Sequence, residues 1–353
     1  MKKNTTIFII TIVLIIIAAV LISKNSNTTL KKESSNFALL DTSNITKIFI
    51  ADKQNNSVVL RKTSSGNWKI NDHYKADQRK TNMLIKTMQD IRVRNPVSLA
   101  EHNNVISRLA ATAKKVEVYQ IVDRIDLFGW IKLFPHEKMT KVYYVGGATM
   151  DNLGSYMWME GKEKDRAFVV HIPNFRGFVS PRYSSVEDDW RDHSIFNYKV
   201  KEIQSIKVEY FENPDWSYKV ENINDRDFKI ISLNNNRELL NYDTLRLLNF
   251  VNAFNNVKFE AVLTNTTAQS KIDSITSSKP AHKITVVDKN RDSTVVKTFH
   301  KEGFEDKFGD GAKLVPVDIE RLYASLNNGN DFVLLQYYAF GEVLQPLTYF
   351  EKE

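Results

Sequence analysis

An uncharged apolar run near the start of the chain constrains its fold more than any other feature. Residues 5–23 read TTIFIITIVLIIIAAVLIS, nineteen residues without a charged side chain. A helix of about 20 such residues spans the ~30 Å hydrocarbon core of a bilayer and satisfies its own backbone polar groups. The run therefore predicts a transmembrane helix through which the chain contacts the lipid bilayer.

A cleaved secretory signal is the alternative interpretation of this run. Lys2 and Lys3 would supply its basic region, but the apolar part of a signal usually covers only about 7–15 residues and ends in small residues. Val20, Leu21 and Ile22 stand where small residues would be needed. We therefore expect an uncleaved signal-anchor.

The charges that flank the run predict its orientation. Basic residues favour the cytoplasmic side, and two lysines crowd the tail formed by residues 1–4. Three lysines on the other flank, within residues 24–36, weaken this asymmetry without reversing it. We expect a single-pass protein of the bacterial cytoplasmic (inner) membrane, with a cytoplasmic tail and a periplasmic body.

The remaining sequence has the composition of a soluble body. Residues 24–36 are polar and lack periodicity, which is typical of a flexible linker. The chain is 26% charged, and its net charge of +7 is dispersed among 42 acidic residues, so we expect no nucleic-acid partner. It contains no cysteine, which excludes disulfides, thiolate metal sites and cysteine nucleophiles.

The body contains an internal repeat. Apolar positions of the first half recur in the second half in the same order, while their offset drifts only from 158 to 168 residues, as loop insertions would produce. The recurring positions are Ile45, Ile48 and Ile50 with Ile203, Ile206 and Val208; Val58 and Leu60 with Tyr218 and Val220; Trp68 and Ile70 with Phe228 and Ile230; Leu84, Met88 and Ile91 with Leu247, Val251 and Phe254; Val116 and Val118 with Ile284 and Val286; and Phe168 and Val169 with Phe332 and Val333. The pattern predicts a first repeat over residues 37–178, a bridge over 179–200 and a second repeat over 201–353.

Each repeat has the sequence pattern of an α+β lobe. Alternating runs such as KIFIA, bounded by turn residues, predict antiparallel strands. Apolar residues at i, i+4 and i+7 predict one helix packed on each sheet. Strands that precede and follow a helix favour α+β over a doubly wound parallel fold. The first repeat also has an aromatic insertion over 126–139 and, over 146–160, a turn at Gly146 and Gly147 with a further strand.

The runs KVYYVGGATMDNLGSYMWME and AFVVHIPNFRGFVSPRYSSVEDDWRDHSIF resemble Bacteroidetes-type members of the domain-of-unknown-function family 4340. The resemblance extends from about Phe37 to the end of the chain, although Asn174 follows Pro173 where a glycine is expected. It implies a membrane-anchored bacterial protein, and some relatives look like auxiliary parts of gliding-motility-type ABC transport systems. It carries over no activity and no catalytic residues.

The chain has no HExxH, G-x-S-x-G, Walker A or dinucleotide-binding motif. We therefore predict no catalytic residue, no metal site and no cofactor.

The densest polar cluster lies in the bridge, where carboxylates beside a histidine are able to act in acid–base chemistry or hold a cation. In the alternative interpretation the bridge is structural: Arg182 or Arg191 pairs with an aspartate, and Trp190 packs beneath the pair. The candidate cleft residues are Trp158, Tyr183, Asp188, Asp189, Trp190, Arg191 and His193.

The aromatic insertion is the best candidate contact surface. Phe128, Trp130, Leu133 and Phe134 concentrate apolar surface in a segment between two strands. The alternative is that the segment folds back and seals its own sheet.

Three functions remain open on this basis. The first is a non-enzymatic scaffold or accessory subunit that binds another envelope membrane protein. The second is a binding module for a glycan or solute in a cleft between the repeats, since domain interfaces often hold ligands. The third is a hydrolase that uses the bridge cluster.

Overall fold

The computed structural model describes residues 11–15, 36–127, 131–159, 166–303, 305–306, 313–314, 316–326 and 329–352. The chain forms two compact units, Met1–Asp192 (unit 1) and His193–Glu353 (unit 2). The division falls inside the predicted bridge, residues 179–200. Both units are mixed α and β, as the sequence predicts.

Most of the predicted transmembrane run, residues 5–23, lies outside the described residues. Residues 11–15 are described, and they are helical. Within the described part of the chain, no helix combines the length and the apolarity that a bilayer crossing requires.

Unit 1 is built on a nine-stranded sheet in the order β4-β3-β2-β1-β6-β7-β8-β9-β5. Every pairing in it is antiparallel, which agrees with the predicted antiparallel lobe. The strands are β1 (Ile45–Ala51), β2 (Ser57–Lys62), β3 (Trp68–Ile70), β4 (Tyr74–Lys75), β5 (Arg92–Pro96), β6 (Lys114–Leu127), β7 (Ile131–Ala148), β8 (Ser155–Met159) and β9 (Phe168–His171).

The predicted helix of unit 1 is α1 (Gln78–Asp90). It begins at Asp77, whose carboxylate accepts hydrogen bonds from two backbone N–H groups of the first turn. The predicted apolar face, Leu84, Met88 and Ile91, is fully buried against the sheet. This face is therefore confirmed.

A second helix, α2 (Leu99–Thr112), covers the opposite face of the sheet. Its buried Val105 and Leu109 pack with Val169 and with the partly buried Tyr156 and Trp158. The expectation of one helix per lobe was therefore wrong. The sequence did not indicate α2, because only these two of its positions are buried and its apolar periodicity is correspondingly weak. Two short 3₁₀ helices, Ser180–Arg182 and Asp188–Trp190, complete unit 1.

Unit 2 repeats this plan, with an eight-stranded sheet in the order β13-β12-β11-β16-β17-β20-β21-β15. Helix α3 packs on one face, in a core around Phe250, and α4 on the other, beside Phe299. The strands are β10 (Ser194–Phe196), β11 (Ile203–Tyr210), β12 (Tyr218–Asn222), β13 (Phe228–Ser232), β14 (Val257–Lys258), β15 (Ala261–Val262), β16 (His282–Asp288), β17 (Ser293–Glu302), β18 (Glu305–Asp306), β19 (Lys313–Leu314), β20 (Val317–Leu326) and β21 (Asp331–Gln336). The helices are α3 (Thr244–Ala253), α4 (Gln269–Ser277) and α5 (Tyr337–Phe340), with 3₁₀ helices at Val200–Glu202, Pro214–Trp216, Gly341–Val343 and Leu347–Phe350.

The two sheets share their strand order and most of the predicted correspondence between the repeats. Ile48 pairs with Leu60 and Val118 in unit 1. The residues predicted to correspond, Ile206 with Val220 and Val286, pair in the same way in unit 2. The further strand of the first repeat, β8, has a counterpart in β20, so it is not an extra element. This common order agrees with the duplication that the sequence predicts.

One predicted correspondence is shifted by a residue. Phe168 lies on the α1 side of its sheet, whereas Phe332 lies on the α4 side, which corresponds to α2. Val333 occupies the side equivalent to Phe168. Because side chains alternate between faces, a shift of one residue exchanges the two cores. Apolar residues on both faces of these buried strands hid the alternation.

The predicted turn at Gly146 and Gly147 is instead the end of strand β7, where pairing with β8 is irregular. A Cβ on Gly146 would overlap Cδ2 of Leu109 and lie 3.2 Å from the Tyr156 carbonyl oxygen. Gly146 therefore permits the close approach of α2 to the sheet. A Cβ on Gly147 would meet nothing within 4 Å.

We expect Gly146→Ala to destabilise unit 1 by about 1–3 kcal/mol, because the added methyl overpacks the contact between α2 and β7. Gly147→Ala is the matched control and is expected to change stability by less than about 0.5 kcal/mol. Chemical denaturation of both variants measures the difference. Equal stability of the two variants would contradict the packing role assigned to Gly146.

Candidate partner-binding ribbon

Strands β6 and β7 extend beyond the strands that flank them. The pairing of β1 with β6 ends at Gln120, and the pairing of β7 with β8 begins at Tyr143. Among the described residues, the strand segments of residues 121–139 therefore form ladder pairs only within the β6–β7 hairpin. We call residues 121–139 the ribbon. It contains the whole of the predicted aromatic insertion, residues 126–139.

The ribbon exposes apolar side chains. Phe134 is 65% exposed and Leu133 is 44% exposed. Ile125 lies directly opposite Leu133 and is also exposed. The predicted contact residues Phe128 and Trp130 lie outside the described residues. At Leu133 and Phe134 the segment does not fold back to seal its own sheet, so that alternative is wrong for these two positions.

The backbone at Phe134 adopts a conformation that side chains rarely take. Its φ is +58°, in the left-handed region, which costs a non-glycine residue about 1–2 kcal/mol. Strain of this kind is concentrated at functional sites in proteins. The Phe134 ring is nevertheless mostly exposed, so burial within unit 1 does not offset this cost.

The base of the ribbon is held firmly by the sheet. Thr46 donates a hydrogen bond of 2.6 Å to the Glu137 carboxylate, and the Lys47 ammonium lies 3.8 Å from the same carboxylate. The Lys47 ammonium also lies 3.5 Å from the centre of the Tyr119 ring. A hydrogen bond to Glu117 raises the pKa of the Tyr119 hydroxyl, followed by the effect of burial. These contacts fix the base of the ribbon, from which the segment with Leu133 and Phe134 extends.

The two bridge aromatics are part of the core of unit 1. Tyr183 is fully buried, and its ring packs edge-on against Tyr143 with ring centres 6.2 Å apart. Burial raises the pKa of Tyr183 to about 12. Trp190 is 4% exposed, and its indole N–H donates to the Ser184 carbonyl oxygen. Both rings therefore contribute to the core and offer little surface to a ligand.

The polar bridge residues are engaged in contacts within unit 1. The guanidinium of Arg191 lies 3.7 Å from the centre of the Tyr74 ring and 3.8 Å from Asp188 Oδ1. The Asp189 carboxylate accepts a hydrogen bond from the Ser184 hydroxyl. These contacts match the structural alternative, in which an arginine pairs with an aspartate above a buried tryptophan.

The last two candidate cleft residues, Trp158 and His193, lie apart from this cluster and from each other. Trp158 is partly buried beneath α2, with its ring centre 5.0 Å from that of Tyr144. His193 belongs to unit 2, where its ring stacks on Phe259 with ring centres 4.4 Å apart. Within the described ranges, no group of three or more acidic or histidine side chains is placed to hold a metal ion.

One groove of unit 1 was not predicted from the sequence. It is lined by Arg94, Leu153, His171, Phe175 and Arg176, which come from three separate parts of the chain. The segment PNFRGF, over residues 173–178, was the only available signal, because it lies within the motif that carries the family resemblance.

Residues 68–275 match the model of the family described as Domain of unknown function (DUF4340). This match covers more than half of the chain. The chain belongs to the DUF4340 family. A search of curated proteins and a search of solved structures each found no match.

The resemblance that the sequence predicted is thereby confirmed for this DUF4340 protein. The matched region includes the ribbon, the bridge residues of unit 1 and the groove. The apolar run at residues 5–23 lies before it.

Proposed function

We propose that this DUF4340 protein is a membrane-anchored, extracytoplasmic scaffold or accessory subunit of an envelope complex. In this proposal residues 5–23 cross the cytoplasmic membrane once and the two units lie in the periplasm. The complex is of the ABC-transport type found in gliding-related systems, as the family resemblance implies. The protein acts by binding and not by catalysis.

The observation that carries the proposal is the ribbon with its exposed Leu133 and Phe134. Among the described residues, the outer edges of the ribbon form no ladder pair beyond the hydrogen bond from the Ile121 N–H to the Asn44 carbonyl oxygen. Strand edges of this kind commonly pair with a strand of another chain. Exposed apolar side chains beside such edges provide the buried anchor that a stable interface needs.

The charges of the ribbon favour a protein as its occupant. Residues 121–139 contain three acidic and three basic side chains, which alternate along both strands. Segments that lie on a membrane surface are rich in lysine and arginine, because they are attracted to anionic lipids. A balanced pattern instead suits a protein surface with complementary charges. We therefore assign the ribbon to another envelope membrane protein.

We expect the Leu133→Asp, Phe134→Asp double variant to lose its membrane-protein partner, because two charges would replace the apolar anchor. The measurement is photo-crosslinking in native membranes from a benzophenone amino acid at position 136, followed by identification of the product by mass spectrometry. A specific membrane-protein adduct of the wild type that falls at least tenfold in the variant supports the proposal.

The matched control is Ile319→Asp, Tyr338→Asp, which charges two exposed apolar positions of unit 2. It is expected to retain the adduct. Identical adducts in the ribbon variant and the wild type would refute the ribbon as the contact surface. All three proteins should stay in the membrane after carbonate washing, and release of the wild type would refute the anchor.

A further inference from the structure

The groove on unit 1 is a concave site of about 420 Å³. Arg94 and His171 come from neighbouring strands, because β5 pairs with β9. Leu153 belongs to the turn between β7 and β8, and Phe175 and Arg176 follow β9. The sheet therefore fixes one wall of the groove, and two loops form the rest.

The lining carries positive charge. The Arg94 guanidinium lies 3.1 Å from the Asp151 carboxylate, and both side chains are about half exposed, so this pair is only weakly stabilising. Hydrogen bonds from Thr149 and from the Leu153 backbone hold the pKa of Asp151 at about 2, so it remains ionised. Arg176 has no acidic partner within salt-bridge distance among the residues that the structure describes. One guanidinium thus remains uncompensated at the groove.

His171 supplies a second polar group in need of a partner. Its Nδ1 atom is buried and forms no hydrogen bond to any described residue. A buried polar atom without a partner costs about 1–3 kcal/mol. His171 lines the groove, and a turn of its imidazole ring would bring this buried nitrogen to an oxygen atom of a bound ligand.

The loop after β9 is shaped to present its side chains to the groove. Asn174 and Gly177 both adopt positive φ, +64° and +146°. A Cβ on Gly177 would lie 3.0 Å from the Phe175 ring, so glycine allows the ring to fold over the backbone. The Arg182 guanidinium lies 4.6 Å from the centre of the same ring. These contacts hold the Phe175 ring, next to Arg176 in the lining of the groove.

We propose that this groove binds the phosphoryl group of a ligand that also carries a short apolar part. Guanidinium groups bind phosphoryl oxygens through paired, charge-assisted hydrogen bonds. An imidazole N–H donates a further hydrogen bond to the same group. The partly exposed Leu153 and Phe175 lie at the rim and suit hydrocarbon beside the phosphoryl group. A phospholipid headgroup and a free phosphate ester share this chemistry.

The test is isothermal titration calorimetry of the full-length, detergent-solubilised protein with three probes: inorganic phosphate, glycerol 3-phosphate and dihexanoyl phosphatidylglycerol. We expect saturable binding of at least one phosphate ester. Arg176→Gln and His171→Asn are each expected to weaken it about tenfold or more, since each removes a hydrogen bond to a charged group. Arg226→Gln, on an exposed turn of unit 2, is the matched control and should bind like the wild type.

The pattern of binding identifies the source of the phosphoryl group. Binding of glycerol 3-phosphate indicates a free ester, and binding of the short-chain lipid alone indicates a headgroup. Failure of both phosphate esters to bind, whether or not inorganic phosphate binds, overturns the proposal, as does equal binding by Arg176→Gln and the wild type. If a variant unfolds, hydrogen exchange of the wild type decides the matter, because a ligand in the groove must protect amides of residues 168–177. Unchanged exchange at saturating ligand would also overturn it.

Discussion

Replacing Trp190 with alanine is expected to destabilise unit 1 by about 3–5 kcal/mol, the usual cost of deleting a large buried aromatic ring. The ring is 4% exposed and packs in the core formed between α1 and the sheet. Its indole N–H also donates a 3.0 Å hydrogen bond to the Ser184 carbonyl oxygen. The variant loses both the packing and this hydrogen bond.

The position of Trp190 extends the effect to the first helix. Its carbonyl oxygen accepts a 2.8 Å hydrogen bond from the backbone N–H of Asp77, the residue that caps α1. Ala76 and Arg191 form a bridge beside it. A displaced Trp190 segment therefore also loosens the start of α1.

Hydrogen exchange resolved by peptide measures this prediction in the full-length protein, with faster exchange expected in α1 and β1. Trp216→Ala is the matched control, because Trp216 is 41% exposed and its loss should cost about 1 kcal/mol or less. Unchanged exchange in Trp190→Ala would show that the ring is not a core residue. It would then be free to serve as the ligand contact suggested by the sequence.

Trp190 shows why the bridge was difficult to interpret from sequence. A tryptophan beside three acidic residues is compatible with a binding site and with a core ring whose neighbours reach solvent. The segment contains too few residues for periodicity to separate the two. Only the long-range packing of the ring on α1 and the sheet shows that Trp190 is buried.

The regular parts of the fold were easier to predict. Apolar and polar side chains alternate cleanly in β1 and β11, so Ile48 and Ile206 could be matched between the two repeats from the sequence alone. The buried face of α1 was equally clear, because Leu84 and Met88 follow helical spacing. Where both faces are apolar, as at Phe168, the alternation disappears and the predicted register shifted by one residue.

Of the two candidate surfaces, the ribbon could be predicted from the sequence and the groove could not. The ribbon is contiguous in sequence, so its apolar content was visible at Leu133 and Phe134. The groove is not, because Arg94 and His171 meet only through the pairing of β5 with β9. No local pattern brings Arg94 together with Arg176. A site assembled by sheet topology requires the structure.

Lowering the pH from about 6.5 to about 4 is expected to destabilise unit 2 by about 3 kcal/mol through His282 alone. His282 begins β16 and packs edge-on against Tyr210, with ring centres 5.0 Å apart. Its Nδ1 lies 2.8 Å from the hydroxyl oxygen of the buried Thr298. Burial, and then the nearby His300, lower the pKa of His282 to about 4, and Glu212 opposes this effect.

The sign follows from which state binds the proton. Below pH 6.5 the unfolded chain protonates this histidine, whereas the folded chain remains neutral until the pH approaches 4. The unfolded state therefore gains stability as the pH falls through this window. The Asp52 carboxylate, whose pKa is lowered to about 2, belongs to unit 1 and loses its contribution to stability only at lower pH, so its effect is largely separate.

His282→Gln removes this titration and is expected to flatten the dependence of stability on pH between about 6.5 and 4. Denaturation of the full-length protein across this range, followed by hydrogen exchange in β16 and β17, measures the slope. His73→Gln changes an exposed histidine of unit 1 and should keep the wild-type slope in unit 2. If His282→Gln keeps that slope as well, the acid sensitivity belongs to the carboxylates and not to the buried imidazole. The comparison works because burial beside Tyr210 and Thr298, together with the nearby His300, favours the neutral imidazole of His282, and the folded unit alone provides these surroundings.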